Sequence, residues 1–330
     1  MNKRAQLFFL LLIILLIGSF ICHLFAGQIR ISLSDYWNSI FDFDVSNTNQ
    51  LIAREFRLPR AIIAVIAGSG LSLAGMFMQT LFNNPLAGPY VLGINSGSSL
   101  FVAFSMMTGI GFLQSDLGII SSALLGALVF GFIILFFSFF TRNHVTLLLV
   151  GLMLGSFTGA IISVIQTMSS AQELKAFTIW TMGSLQHVQF DQLPLITFFF
   201  VLGCTLSLLL IKPMNALVLG GKSSQLLGIN IRSVRISTIL VTALLTGVVT
   251  AFCGPIAFVG LAVPNLTKTL FRTQNHFILL VGNFLIGGIF LLFSDIVIQL
   301  LEETIQLPIN AFTSLVGAPF IIYVVLKRLK

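Results

Sequence analysis

Residues 61–108 run for 48 positions without a charged side chain. One helix crosses ~30 Å of hydrocarbon with ~20 residues at ~1.5 Å each, so a run of this length must turn back on itself. The turn falls at 83–93, Asn-Asn-Pro-Leu-Ala-Gly-Pro-Tyr-Val-Leu-Gly. Pro85 and Pro89 each remove a backbone donor, Gly88 and Gly93 loosen the chain, and the amides of Asn83 and Asn84 are placed to cap freed carbonyls. Irregular backbone persists at membrane depth only where protein buries it or a water-filled cavity solvates it. The stretch is therefore read as the junction of two spans, with the rest of the chain built around it.

Composition extends that reading to all 330 residues: 57% are apolar, 8% charged, and mean hydropathy is +1.05. The expectation is an all-α, polytopic membrane bundle, with residues 1–330 forming a single integral membrane domain. The first apolar run, 7–26, is longer than a leader-peptide core and reads as a span. Cys22, Cys204 and Cys253 lie in apolar runs and read as small packing residues.

The net charge of +7 reports topology rather than a nucleic-acid partner. With a cytoplasmic amino terminus and ten spans (roughly 6–26, 61–82, 86–108, 117–140, 145–168, 192–211, 236–254, 256–271, 277–298 and 309–326), the inner segments hold twelve basic residues and no carboxylate. The outer segments hold five basic residues and nine carboxylates. Both termini are therefore expected in the cytoplasm; the reverse orientation would invert the positive-inside bias.

The outer segment 27–60 is long enough for a surface helix, with Tyr36 and Trp37 as expected interfacial anchors. Small residues recur at helical spacing in span two (Gly68 with Ser72, Gly70 with Ala74) and in span five (Gly151, Gly155, Gly159, Ser163). They suit close helix packing, and spacing alone leaves open that the second stripe faces a pathway. The inner segment 212–235, broken by Gly220, Gly221 and Gly228, suits two short helices on the membrane face and docking to another protein. Its Gly221-Lys222-Ser223 lacks the upstream glycine and strand of a phosphate loop. Asp295 is costly in lipid and should face the bundle, held by hydrogen bonds or open to a polar path, with Gln299 as partner or outlet. The four histidines are scattered and read as interfacial. No His-Glu-x-x-His, nucleophile turn or paired carboxylate supplies an enzyme's chemistry or a metal site, which leaves solute passage.

Several motifs then occur in a specific order. Phe56-Arg57-Leu58-Pro59-Arg60, Gly75-x-x-x-Gln79 and Asn84-Pro85-Leu86-Ala87-x-Pro89-x-x-Leu92-Gly93 are followed by Trp180-x-x-Gly183-Ser184. Leu219-Gly220 to Leu227-Gly228, Gly254-x-Ile256-x-Phe258-Val259-Gly260-Leu261-x-x-Pro264, Ser294-Asp295, Leu307-Pro308 and Gly317-x-Pro319-Phe320 complete the series. Together they resemble the permease family of ABC importers for iron-siderophore, haem and cobalamin.

The resemblance implies a type II importer permease of about ten spans in a bacterial cytoplasmic membrane, surrounded by lipid. It implies a homo- or heterodimer with two cytoplasmic ATPase subunits, which carry the ATP and magnesium, and an extracytoplasmic binding protein; no cofactor belongs to this chain. It assigns Arg57 and Arg60 to docking that protein, and Leu219, Gly220, Lys222, Ser223, Gln225, Leu227 and Gly228 to the ATPase coupling loop. Gln79, Asn84, Pro85, His144, Val145, Leu149, Gly151, Gly155 and Asp295 become pathway or gate candidates. Asn265, Gln299 and Asn310 depart from the family's usual His, Arg and Gly. A gradient-driven carrier or channel working alone is the other reading, thinly supported by a single intramembrane carboxylate.

Overall fold

The computed structural model describes residues 3–27, 29–107, 114–141, 144–302 and 305–328, and every regular element among them is helical. The expected spans return as α1 (Lys3–Phe25), α4 (Leu58–Leu81), α5 (Ile94–Met107), α6 (Asp116–Phe140), α7 (His144–Met168), α9 (Leu193–Leu209), α12 (Ile231–Cys253), α13 (Val259–Phe271), α14 (His276–Leu301) and α15 (Ile309–Arg328). Surface helices α2 (Leu33–Phe41) and α3 (Thr48–Ile52) precede α4, α8 (Ala171–Thr181) follows α7, and α10 (Ile211–Leu217) and α11 (Gly221–Leu226) follow α9. Helix starts follow local chemistry. Ser170 and Glu173 close a reciprocal capping box on α8, while Asn230 and Asn275 side chains cap α12 and α14.

Among the described residues, seven helical segments are long and apolar enough to cross a membrane. At 14 and 13 residues, α5 and α13 reach only ~20 Å, short of ~30 Å. Both begin later than expected because irregular backbone precedes them. Ala87, Gly88, Pro89 and Gly93 are buried before α5, and Gly254, Pro255 and Ile256 before α13, where protein can shield their polar groups.

Helix α4 is the centre, packed against α14, α12, α13 and α1. Two glycine contacts set how closely its neighbours approach. A Cβ on Gly68 would stand 2.1 Å from the Gly287 carbonyl oxygen of α14, and one on Gly75 would stand 1.8 Å from that of Gly260 on α13. The small residues of span two thus serve backbone-to-backbone packing. In α7 the outcome differs, because a Cβ on Gly159 would meet nothing within 4 Å. Only 11% of the most apolar stretch of α7 is buried within the chain, against 89% for the segment containing α4.

Tyr36 is not the interfacial anchor expected. It is buried, and its hydroxyl donates to the Leu24 carbonyl, holding the outer loop against the end of α1. Trp37 is exposed and packs on Phe41.

Candidate functional site

Two polar clusters lie at opposite ends of α4. At its amino-terminal end Asp295 is buried, and Arg60 grips it with both arms of the guanidinium: Nε donates to Oδ2 at 2.7 Å and Nη2 to Oδ1 at 2.9 Å. His23 Nε2 lies 2.6 Å from Oδ2, and Gln299 Nε2 donates to the same oxygen at 3.0 Å. Gln299 is therefore Asp295's partner, and His23, only 1% exposed, is a core side chain rather than an interfacial one. A cavity of about 350 Å³ lined by Arg60, His187, Asp295 and Glu302 adjoins the cluster. Arg57, one turn earlier, donates to the Leu24 carbonyl at 2.8 Å and to that of Ile29. Both forks proposed for docking thus already hold internal acceptors.

At the other end of α4, Asn83 takes a left-handed conformation (φ 47°) and the chain re-enters the bundle through a 3₁₀ turn, Pro89–Leu92, closed by Gly93 (φ 73°). The side chain of Asn84 accepts from Leu86 N at 2.9 Å. The carbonyl freed by the break, that of Pro85, is satisfied from outside the stretch: Asn265 Nδ2 on α13 donates to it at 2.9 Å. Gln79 bridges the same helices, donating to the Leu261 carbonyl at 3.2 Å and accepting from Lys268 Nζ at 3.2 Å. Gln79, Asn84 and Pro85 therefore meet in one region, knit to α13.

Beside them, buried His276 joins three elements. Its backbone N–H and its Nδ1 both reach Asn215 Oδ1 on α10, at 2.8 and 2.9 Å. A backbone N–H can only donate, so the shared atom is an acceptor and Nδ1 carries the ring proton. Nε2 is then free to accept from Thr80 Oγ1 on α4 at 2.9 Å. Helices α10 and α11 extend outward from this junction as the two short helices expected. Gly220 (φ 97°) starts α11 and Gly228 (φ 78°) ends the loop after it. Lys222, Ser223 and Gln225 are exposed, as are Leu219, Leu226 and Leu227, with Leu226 90% exposed. The Gly-Lys-Ser follows a helix, not a strand.

The α7 candidates divide by side. Gly151 is buried, its carbonyl oxygen facing Gly93, and Gly155 is half-buried beside Ser96, whereas Val145 and Leu149 are exposed. The His144 side chain lies outside the described residues. Asn310 ties three segments: its N–H donates to the Met182 carbonyl and its Oδ1 accepts from Ala257 N. Among the described residues, no three His, Cys, Asp or Glu side chains group as a metal site.

Residues 12–327 match the model of the FecCD transport family. The chain belongs to that family. Among its relatives, the hemin transport system permease protein HmuU of Yersinia pestis is 32% identical over 99% of this chain and 98% of its own length. The vitamin B12 import system permease BtuC of Klebsiella pneumoniae is 31% identical over 99% and 95%, and the Fe(3+)-citrate import system permease YfmD of Bacillus subtilis 30% identical over 99% and 96%. A solved metal-chelate type ABC transporter in an inward-facing conformation superposes with a TM-score of 0.87 at 28% identity, covering 98% of this chain and 99% of that one. This FecCD chain is therefore an integral membrane transport permease with the type II importer permease fold.

Sequence reasoning left His23, Asn215 and His276 out of the site. Each is a single polar side chain at the end of an apolar run, and only its partner on a distant element gives it meaning.

Proposed function

We propose that the chain is the membrane subunit of an ATP-driven importer for an iron chelate, haem or cobalamin, working as a dimer in a bacterial cytoplasmic membrane with both termini inside. ATP and magnesium belong to two separate ATPase subunits, and an extracytoplasmic binding protein delivers the solute. The observation that carries this reading is the α10–α11 arm. It presents Leu219, Leu226 and Leu227 to solvent at the basic end of the bundle, an apolar knob suited to the groove of a cytoplasmic partner. The exposed face of α7 suits a second permease subunit, with the solute path between the two.

Docking of the binding protein by Arg57 and Arg60 requires them to exchange acceptors. Arg57 is the better placed, since it would release backbone carbonyls that water can solvate, whereas Arg60 would orphan a buried carboxylate. A gradient-driven carrier is disfavoured because Asp295, the carboxylate within the spans, is already neutralised by Arg60. The test is reconstitution with the partner ATPase and binding protein. Solute should enter proteoliposomes only with ATP present; uptake driven by an ion gradient without ATPase would overturn the assignment.

A further inference from the structure

On the membrane-facing side of α9 a groove of about 750 Å³ is lined by Ile62, Phe190, Pro194, Thr197, Val201 and Thr205, among others. A second, of about 430 Å³, shares Ile62, Thr197 and Val201 and continues towards Leu16 and Phe20 of α1. Together they form one apolar trough between α9, α4 and α1. From Leu193 to Thr205, α9 runs ~18 Å, close to the ~15 Å depth of one leaflet's hydrocarbon.

At the mouth of this trough stands Arg54. Its guanidinium lies over the ring of Phe43 at 4.4 Å and over that of Phe190, which lines the groove, at 4.9 Å. The two rings hold the planar cation in place and leave its N–H edges free. Buried Nε has no hydrogen-bond partner among the described residues. The nearest carboxylate, Glu55 Oε1, is 3.8 Å away, beyond hydrogen-bond reach, and its side chain is 41% exposed. A fixed cation whose ion pair to Glu55 is long and solvent-exposed and whose Nε has no hydrogen-bonded acceptor among the described residues, above an apolar slot one leaflet deep, suits a molecule with an anionic phosphate head and an acyl tail.

We propose that this trough binds a phospholipid of the leaflet at the Arg54 end, its phosphate on Arg54 and an acyl chain along α9 between Phe190 and Thr205. The name of that leaflet, the outer one, rests on the orientation proposed above; the site itself does not. Acyl chains fill any membrane groove, so the phosphate must supply the selectivity, and a phospholipid must be preferred over a diacylglycerol with the same chains, which has no phosphate. Because the trough contacts α1, α4 and α9, an occupant would bridge three helices of the bundle.

The full chain, purified in detergent, is titrated with phosphatidylglycerol and with diacylglycerol of identical acyl chains, which lacks the phosphate, and retained lipid is read by native mass spectrometry. Phosphatidylglycerol should be held in preference, by roughly tenfold for one charge-assisted contact. Arg54→Gln should lower its retention to the diacylglycerol level. Thr197→Trp, which fills the shared part of the trough from an exposed position, should lower retention of both lipids and provides the test if Arg54→Gln is not monodisperse. Equal retention of the two lipids by the wild type, or unchanged selectivity in Arg54→Gln, would overturn the proposal. So would displacement of the lipid by inorganic phosphate alone, or a loss confined to binding-protein docking. None of these readouts depends on ATP-driven uptake.

Discussion

Arg60 and Asp295 form a two-armed ion pair, 2.7 and 2.9 Å, between the start of α4 and the last turns of α14, with the carboxylate 2% exposed. Removing one member leaves the other charge buried. Arg60→Ala should therefore destabilise the purified chain by about 3–5 kcal/mol. Replacing both, Arg60→Met with Asp295→Leu, should recover most of that loss. Thermal unfolding in detergent followed by size exclusion reads both. A single variant as stable as wild type would mean that water reaches Asp295 and solvates it.

The same pair bears on docking. If Arg57 alone meets the binding protein, Arg57→Glu should weaken docking, more so at low salt, while leaving the melting temperature of the chain little changed. Arg60→Glu should fail earlier, at folding, because it sets a second carboxylate against Asp295. Pull-down of the binding protein by detergent-purified variants separates the two effects. Equal folding and equal loss of docking in both variants would restore the two-arginine dock.

The glycine contacts predict a sharp contrast. Gly75→Ala drives a Cβ to within 1.8 Å of the Gly260 carbonyl oxygen, a backbone atom that cannot rotate away, so folded yield should collapse. Gly159→Ala enters open space and should change stability by no more than about 0.5 kcal/mol. Fluorescence-detected size exclusion of tagged variants reads both. A normal profile for Gly75→Ala would show that α4 and α13 can separate.

Spans, breaks and the two short helices of 212–235 were readable because they rest on local composition: apolar runs, proline and glycine placement, and capping residues. The polar clusters were not. His23 is 272 positions from Asp295, and Arg60 is 235 positions from it, so the sequence shows one expensive Asp and an arginine suited to a surface fork, but not that they meet. Asn265 reads as a departure from a family pattern until its amide is seen on the Pro85 carbonyl. Ser224, within an exposed-looking loop, is fully buried, its hydroxyl 2.8 Å from the carbonyls of both Ala216 and Gly220.

That burial sharpens the topology test. In a background lacking native cysteines, Ser46→Cys should label with an impermeant thiol reagent in cells with the outer barrier opened. Ser223→Cys should label only after the membrane is breached, since both positions are exposed, at opposite ends of the helix bundle. Ser224→Cys should stay unreactive in either case. Labelling of position 223 from outside would reverse the orientation.

The final prediction concerns how motion at the α10–α11 arm reaches the spans. Asn215 Oδ1 accepts from both the backbone and the ring of His276, and the ring's far nitrogen meets the Thr80 hydroxyl. That hydroxyl also lies 3.0 Å from the Met76 carbonyl and has one proton to give, so the ring and the carbonyl compete for it. A shift of α10 therefore acts on the amino end of α14 and the carboxyl end of α4 together, next to the break at 83–93. Asn215→Ala leaves two donors of buried His276 without their acceptor, a cost of about 1–3 kcal/mol for each group left unsatisfied. Asn215→Asp keeps an acceptor in place. In the reconstituted complex, Asn215→Ala should still hydrolyse ATP while the solute moved per ATP falls several-fold, and Asn215→Asp should retain most of the wild-type ratio. Loss of hydrolysis and uptake in equal proportion would place Asn215 in ATPase docking instead. An unchanged ratio in Asn215→Ala would show that the stroke reaches the spans by another route.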